Sequence, residues 1–274
     1  CLHWAKRIRE VISVTADLRR FRKPDMTFLY KTVEGVGLPA NVYMPKSENT
    51  KIQGVIVYIH GGGWQTGAVK ERPCGGIEAL TANADYMSEH GYIGVTITYR
   101  GLNITDTTTP YDMLEDCGDA VEYIRNTSFA KGKKLIVFGE SAGGHLAVML
   151  GFAEDKNIRP DGIMAINPVL DCMNEKWSYA FKGNEERENI SPLHCNPPNM
   201  PPILIMHGTA DDCVPISDSR RFAAKINACG GNASLIEVQD AVHAFILYGY
   251  KYESAYAEEK MQILKDAWDK MCGR

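Results

Sequence analysis

No stretch of 18 consecutive apolar residues occurs in the 274-residue chain, which excludes a transmembrane helix of ordinary length. No Cys-x-x-Cys pair and no Cys/His ligand spacing is present, so nothing reads as a zinc site. Charge of one sign is lacking too. Thirty basic residues face 34 acidic ones, a net charge of −4 that offers no bulk attraction to nucleic acid. Repeats, low-complexity tracts and Pro/Gly linkers are missing, which excludes collagen, coiled coil and disorder. What remains, at 45% apolar and 23% charged residues, is ordinary globular composition. A chain of this length buries enough surface to need no staples.

The eight cysteines, at 1, 74, 117, 172, 195, 213, 229 and 272, are too scattered for a disulfide framework. They read as thiols and lean toward a cytoplasmic setting, with Cys172 and Cys195 the pair to compare. No signal-peptide pattern is present, but residue 1 is Cys rather than Met. The expectation is therefore a chain that starts inside a longer precursor, with a removed leader left open. The first 23 residues carry seven Lys/Arg against two acids, with Trp4, Ile8, Val11 and Ile12 between them. They read as a basic helix over 1–25 that packs on the domain, rather than as a surface-binding amphipath.

Beyond that helix, Phe28–Val33 and Ala40–Met44 read as strands around the Glu34–Gly37 turn. Short β-branched runs then alternate with helical patterns. Strands are expected at Val55–Ile59, Ile93–Tyr99, Leu135–Phe138, Gly162–Ile166, Ile203–Met206 and Ser234–Val238. Helices are expected at Ile77–His90, Tyr111–Arg125, from Ala142, at Ile216–Ala228 and from about Glu253. That rhythm implies right-handed βαβ crossovers and a mostly parallel sheet covered on both faces. One segment breaks it. Asp171–Pro202 is long and Pro-rich and carries Trp177, Tyr179 and Phe181, which reads as a short lid.

Gly139-Glu140-Ser141-Ala142-Gly143-Gly144 lies between a strand and a helix, the setting that a G-x-S-x-G elbow requires. Ser141 is the candidate nucleophile, and a serine hydroxyl needs a base oriented by a third group. Four histidines follow it. His145 lies one turn into the elbow's own helix, His194 is in the lid and His207 ends a strand. His243, on the loop after the last strand, returns to the carboxyl edge of the sheet and is the candidate base. For the acid, Asp211 and Asp212 compete. Asp211 is nearer the strand end and is favoured, while Asp212 reads as solvated or as a helix-start aspartate.

His60-Gly61-Gly62-Gly63-Trp64 supplies the electrophilic side. Residues without side chains let amides approach an oxyanion, so Gly62, Gly63 and Ala142 are the candidate donors. The spacing fits neither G-x-G-x-x-G nor a Walker A loop. Trp64 and Trp177 are candidate substrate-binding residues, and for the lid aromatics Trp177, Tyr179 and Phe181 anchoring to the domain is the plainer reading. His60 reads as a hydrogen-bonder of its loop, and Tyr99-Arg100 as a brace for the neighbouring loop. Asp116 and Asp119 read as the exposed or capping face of their helix.

With these motifs in the order Ser…Asp…His, the chain resembles the α/β-hydrolase-fold serine esterases. Within them it resembles the branch with an HGGG oxyanion loop and a GESAGG elbow, the hormone-sensitive-lipase-like and acetyl- and feruloyl-esterase-like carboxylesterases. The resemblance spans roughly residues 26–270. It implies a Ser141/Asp211/His243 triad and neither cofactor nor metal. Only 59 residues precede the oxyanion loop, fewer than lipase-like members use for their cap. The expectation is a single α/β-hydrolase domain over 1–274, with the lid at 171–202. It would hydrolyse short-chain acyl esters, such as acetyl or hydroxycinnamoyl esters of sugars or other small alcohols. A prolyl-oligopeptidase-like peptidase or amidase and a non-catalytic binding module of the same fold are the alternatives.

Overall fold

The computed structural model describes residues 22–47, 50–70, 72–102, 104–196 and 199–273. The basic helix expected over 1–25 lies outside the described residues except for 22–25, which are not helical. Arg22 hydrogen-bonds Ser88 at 3.0 Å and the Met44 carbonyl at 3.2 Å and ion-pairs with Asp85 and Asp25.

Eight strands form one sheet: β1 (Met26–Val33), β2 (Val36–Tyr43), β3 (Gly54–Ile59), β4 (Tyr92–Ile97), β5 (Leu135–Glu140), β6 (Gly162–Ile166), β7 (Ile203–Gly208) and β8 (Ala233–Val238). Their spatial order is β1-β2-β4-β3-β5-β6-β7-β8. The β1–β2 and β2–β4 pairs are antiparallel, and every pair from β4 to β8 is parallel. Among the described residues the α-helices are α1 (Thr81–Glu89), α2 (Pro110–Arg125), α3 (Ala142–Leu150), α4 (Asn184–Asn189), α5 (Ile216–Ala228) and α6 (Ser254–Met271).

The unbroken apolar runs of β3 to β6 follow from this layering, because a parallel strand with helices on both faces has no polar side. Alternate residues separate into two cores. Val55, Val57, Ile59 and Val137 pack with Met113, Val121, Leu146 and Phe222 from α2, α3 and α5. Ile56, Tyr58, Ile136 and Phe138 pack on the other face with Tyr86 and Met87 of α1 and Met261, Leu264 and Trp268 of α6. None of the described helices is long and apolar enough to cross a membrane.

The strand expected over Ala40–Met44 runs Val36–Tyr43, so the turn before it is shorter, and two further expectations change. The helix expected from Ile77 begins only at Thr81. Residues 74–81 instead form successive tight turns, Ile77 N–H to Cys74 O and Ala79 N–H to Gly76 O, around Gly76 at φ +80°. A β-carbon on Gly76 would sit 2.2 Å from the His60 ring, so the close approach to the oxyanion loop delays the helix. Asp116 is not on an exposed face. Its side chain has no exposure, and its carboxylate accepts from Arg100 N–H (3.0 Å), Nε (2.7 Å) and Nη2 (2.6 Å) and ion-pairs with Lys31 Nζ at 2.8 Å. Asp119 extends the cluster to Lys31 at 2.6 Å with a side chain that is partly exposed. Period alone placed Asp116 on a polar stripe. In the fold β1 and the loop after β4 close over that stripe.

A buried carboxylate with two cationic partners is costly to remove, because the partners stay behind uncompensated. Asp116→Ala should therefore lower the unfolding free energy by about 3–5 kcal/mol, read from the midpoint of urea denaturation. An unchanged midpoint would show that the cluster is solvated rather than structural.

Candidate active site

Ser141 sits between β5 and α3 at φ 56° and ψ −119°, a left-handed backbone that a serine adopts only when its surroundings impose it. The surroundings are crowded. A β-carbon on Gly139 would lie 2.2 Å from the Gly143 carbonyl, and one on Gly143 would lie 2.1 Å from that of Ile59. The glycines let β5, the turn and the end of β3 touch. The turn then projects the Ser141 side chain above the carboxyl edge of the sheet.

Two loops at the same edge meet it. Ser141 Oγ lies 2.9 Å from His243 Nε2, and His243 Nδ1 lies 2.8 Å from Asp211 Oδ2. With Nδ1–H donated to the carboxylate, Nε2 is free to accept the serine proton. Oδ1 of Asp211 accepts the amides of Cys213 and Val214, each at 2.8 Å. Asp212, by contrast, is exposed. Of the other three histidines after Ser141, His145 Nε2 turns to the Ile190 carbonyl (2.8 Å) and His194 to Asp171 (3.3 Å), while His207 bonds Ser219 through Nδ1 (2.8 Å) and lies 3.3 Å from Asp211 through Nε2.

The electrostatics follow the contacts. Burial pushes the Asp211 carboxyl up, but hydrogen bonds from His207, His243 and Val214 outweigh it and hold the group well below the usual carboxylate range. Burial opposes the imidazolium of His243. The hydrogen bond to Asp211, the neighbouring Cys213 and the charge of Glu140 outweigh that and raise its pKa above the ordinary imidazole value. Glu140 has no role legible from the motif, where it is only the variable position. In the fold its buried Oε1 stands 3.7 Å from His243 Nε2, and burial raises its own pKa. The one sequence signal for it is a charge closing an otherwise apolar strand.

Gly62 at φ +104° and Gly63 at φ +60° shape the candidate oxyanion loop, and among the described residues their amides and that of Ala142 have no protein acceptor. The loop is braced from behind. His60 Nδ1 donates to the Gly61 carbonyl at 2.8 Å, and its ring stacks on Tyr99 at 4.4 Å. Burial lowers His60 to about 4, so the ring is a neutral brace at physiological pH. Tyr99 donates to the His60 carbonyl at 2.8 Å.

The two tryptophans read as substrate-binding have a different place. Trp64 is 0% exposed and Trp177 7%. Trp64 packs edge-on to Trp177 (5.7 Å), Phe181 (5.6 Å) and His145 (5.3 Å). They anchor the 171–202 segment to the oxyanion loop, because two large apolar rings at this junction gain more from each other than from solvent. Tyr179, 45% exposed, adds a hydrogen bond to the Gly63 carbonyl at 3.0 Å. Cys172 and Cys195 are both free thiols. Among the described residues no group of His, Cys, Asp or Glu is arranged to hold a metal ion.

Solved structures of an esterase are among those that match. An esterase from Thermogutta terrifontis with propionate bound is 25% identical with a TM-score of 0.76, covering 90% of this chain and 94% of that one. Esterase LipC of Mycobacterium tuberculosis is 24% identical over 238 residues, 76% of this chain and 57% of its own length. A non-reducing polyketide synthase, pkbA of Emericella nidulans, is 25% identical over 206 residues. The chain thus spans about half the length of LipC and under a tenth of that synthase. Fold and matches together define the α/β-hydrolase fold. A family model named BD-FAE matches residues 40–178, just over half of the 274 residues, and the chain belongs to the BD-FAE family.

His243 should titrate above the ordinary imidazole value, since the charged form keeps two carboxylates beside it. Glu140→Gln removes one of them, so the midpoint should move toward lower pH in an NMR titration of the ring. A midpoint that stays put would mean that Glu140 is protonated across the range.

Proposed function

We propose that this chain is a serine carboxylesterase for small-molecule esters with short acyl groups. The observation that carries the reading is the hydrogen-bonded path from Asp211 through His243 to Ser141, with links of 2.8 and 2.9 Å. The serine at its end stands on a strained turn, and among the described residues the amides of Gly62, Gly63 and Ala142 have no protein acceptor.

Ser141 Oγ attacks the acyl carbon while its proton passes to His243 Nε2. Asp211 accepts from Nδ1 throughout, so it holds the ring's orientation and balances the imidazolium. The carbonyl oxygen, now an oxyanion, takes hydrogen bonds from Gly62, Gly63 and Ala142. Such donors are preorganised, and losing one costs roughly 10²–10³ in kcat. His243 then gives its proton to the departing alkoxide and leaves an acyl-enzyme. A water that loses a proton to the same nitrogen attacks the acyl carbon, and the carboxylic acid departs as Ser141 regains its proton.

The short acyl preference rests on the roof. The 171–202 segment, the lid of this reading, spends Trp177 and Phe181 on packing against Trp64. Around them it is charged, with Glu175, Lys176, Lys182, Glu185, Glu186, Arg187 and Glu188. A longer chain gains only where each methylene meets apolar wall, at roughly 0.8 kcal/mol per CH₂ buried. The propionate held by the Thermogutta esterase supports the same size class.

A fluorophosphonate should label the wild type on the peptide that contains Ser141, and Ser141→Ala should lose the adduct and up to ~10⁶ in kcat while staying folded. An adduct on a cysteine peptide, or turnover by the mutant, would overturn the mechanism. Across p-nitrophenyl esters, kcat/KM should peak between acetate and butyrate and fall clearly by octanoate. A maximum at decanoate would sink the short acyl assignment.

A further inference from the structure

Asp211 is saturated with donors, and one of them has no part in the steps above. Oδ1 takes two amides, from Cys213 and Val214. Oδ2 takes His243 at 2.8 Å and also lies 3.3 Å from Nε2 of His207, the imidazole near the end of β7. Neither the His207 nor the Asp211 side chain has any exposure. His207 Nε2 faces two acceptors, Asp211 and the Val214 carbonyl at 3.0 Å, so that nitrogen carries a proton in either charge state. On the other side of the ring, Nδ1 lies 2.8 Å from Oγ of Ser219, a fully buried residue of α5. The ring is thus held between a strand and a helix, with Nε2 hydrogen-bonded to the Val214 carbonyl and 3.3 Å from the carboxylate.

We propose that His207, held by Ser219, is a positioning residue that fixes the rotamer of Asp211 and shares its negative charge. The inference rests on the triad reading above. A carboxylate oxygen that faced His243 alone would concentrate its charge there and hold the imidazolium too tightly to return its proton to the leaving alkoxide. A second N–H dipole 3.3 Å from the same oxygen offsets part of that charge, since nearby donors stabilise the anion. The depressed pKa of Asp211 agrees, as the His207 hydrogen bond leads the contributions that lower it. The other titratable groups near the pair are Glu140 on β5 and Cys213 beside His243. Around His207 they are Asp218 on α5 and Glu237 on β8.

The test compares His207→Phe, His207→Gln and Ser219→Ala with wild type on p-nitrophenyl acetate, as full pH profiles of kcat and KM. Removing a donor to a buried charge should cost His207→Phe about 10- to 100-fold in kcat. KM should move less than about threefold, because the loss falls on the transition state. The acid limb of the profile should shift alkaline as His243 holds its proton more tightly. His207→Gln, whose amide N–H₂ reaches the same place, should recover most of the rate and the limb, and Ser219→Ala should shift the limb in the same direction by less. An unmoved acid limb in folded His207→Phe, a loss confined to KM, or a Gln variant no better than Phe would overturn the proposal. Should the Phe variant not fold by circular dichroism, Ser219→Ala with wild-type kcat and profile overturns it. A wild type that neither turns over ester nor takes the fluorophosphonate refutes the esterase reading, and this inference falls with it. An active, labelled wild type beside unaffected variants refutes this inference alone.

Discussion

The rest of the site depends on a contact between backbones. Where β5 gives way to α3, Gly143 lies against the carbonyls of Ile59 and His60, the last residue of β3 and the first of the oxyanion loop. A side chain there would push apart the two segments that carry Ser141 and the candidate oxyanion amides. Closing that distance forces Ser141 to positive φ, a strain of order 1–3 kcal/mol. The flanking structure holds the strain in place: Ser141 N–H donates to the Ile166 carbonyl at 2.9 Å, and α3 is buried along its whole length. One turn therefore sets the position of the serine, the Ala142 amide and the distance to Gly62 and Gly63.

A second constraint brings the acid and the base to that turn. The loops after β7 and β8 are laced together before either reaches Ser141. Thr209 N–H donates to the Val238 carbonyl at 2.9 Å and Ala210 N–H to that of Ala241 at 3.1 Å. Gly208 has no room for a β-carbon, which would meet the Ala241 carbonyl at 2.2 Å. The loop of His243 is itself tied to the chain beyond it, through the Val242 amide on the Tyr252 hydroxyl at 2.9 Å. Asp211 and His243 are 32 residues apart in sequence, but these bonds make them one unit. Their opposite pKa displacements are the electrostatic result of that unit being built inside the protein.

The 171–202 segment is held by packing and polar bonds of its own. Trp177 and Phe181 wedge against Trp64, and buried Arg187 donates to the Cys172 carbonyl at 2.8 Å and pairs with Glu175 at 3.0 Å. Its aromatic residues are thereby committed to the oxyanion loop. This is why Trp64 and Trp177, which look from sequence like walls for a substrate, instead hold the segment to the His60–Trp64 loop.

By itself the sequence determined the layered α/β architecture, because strand and helix periods and the buried character of parallel strands are local properties. Gly162–Ile166 and Ile216–Ala228 have the bounds that pattern alone indicates. It also determined which residues stand at the strand ends, Ser141, Asp211 and His243 among them, since G-x-S-x-G and the polar residues that follow β7 and β8 are readable along one dimension. Only the tertiary structure decided what lies across from them. That Asp116 is sealed under Lys31 and Arg100, that Glu140 faces an imidazole, that helix α1 starts late against His60 and that a second histidine touches Asp211 are facts about side chains far apart in sequence. Periodicity tells which side of an element a residue occupies. It carries no information about which other element covers that side, and burial, pairing and pKa are set by the cover.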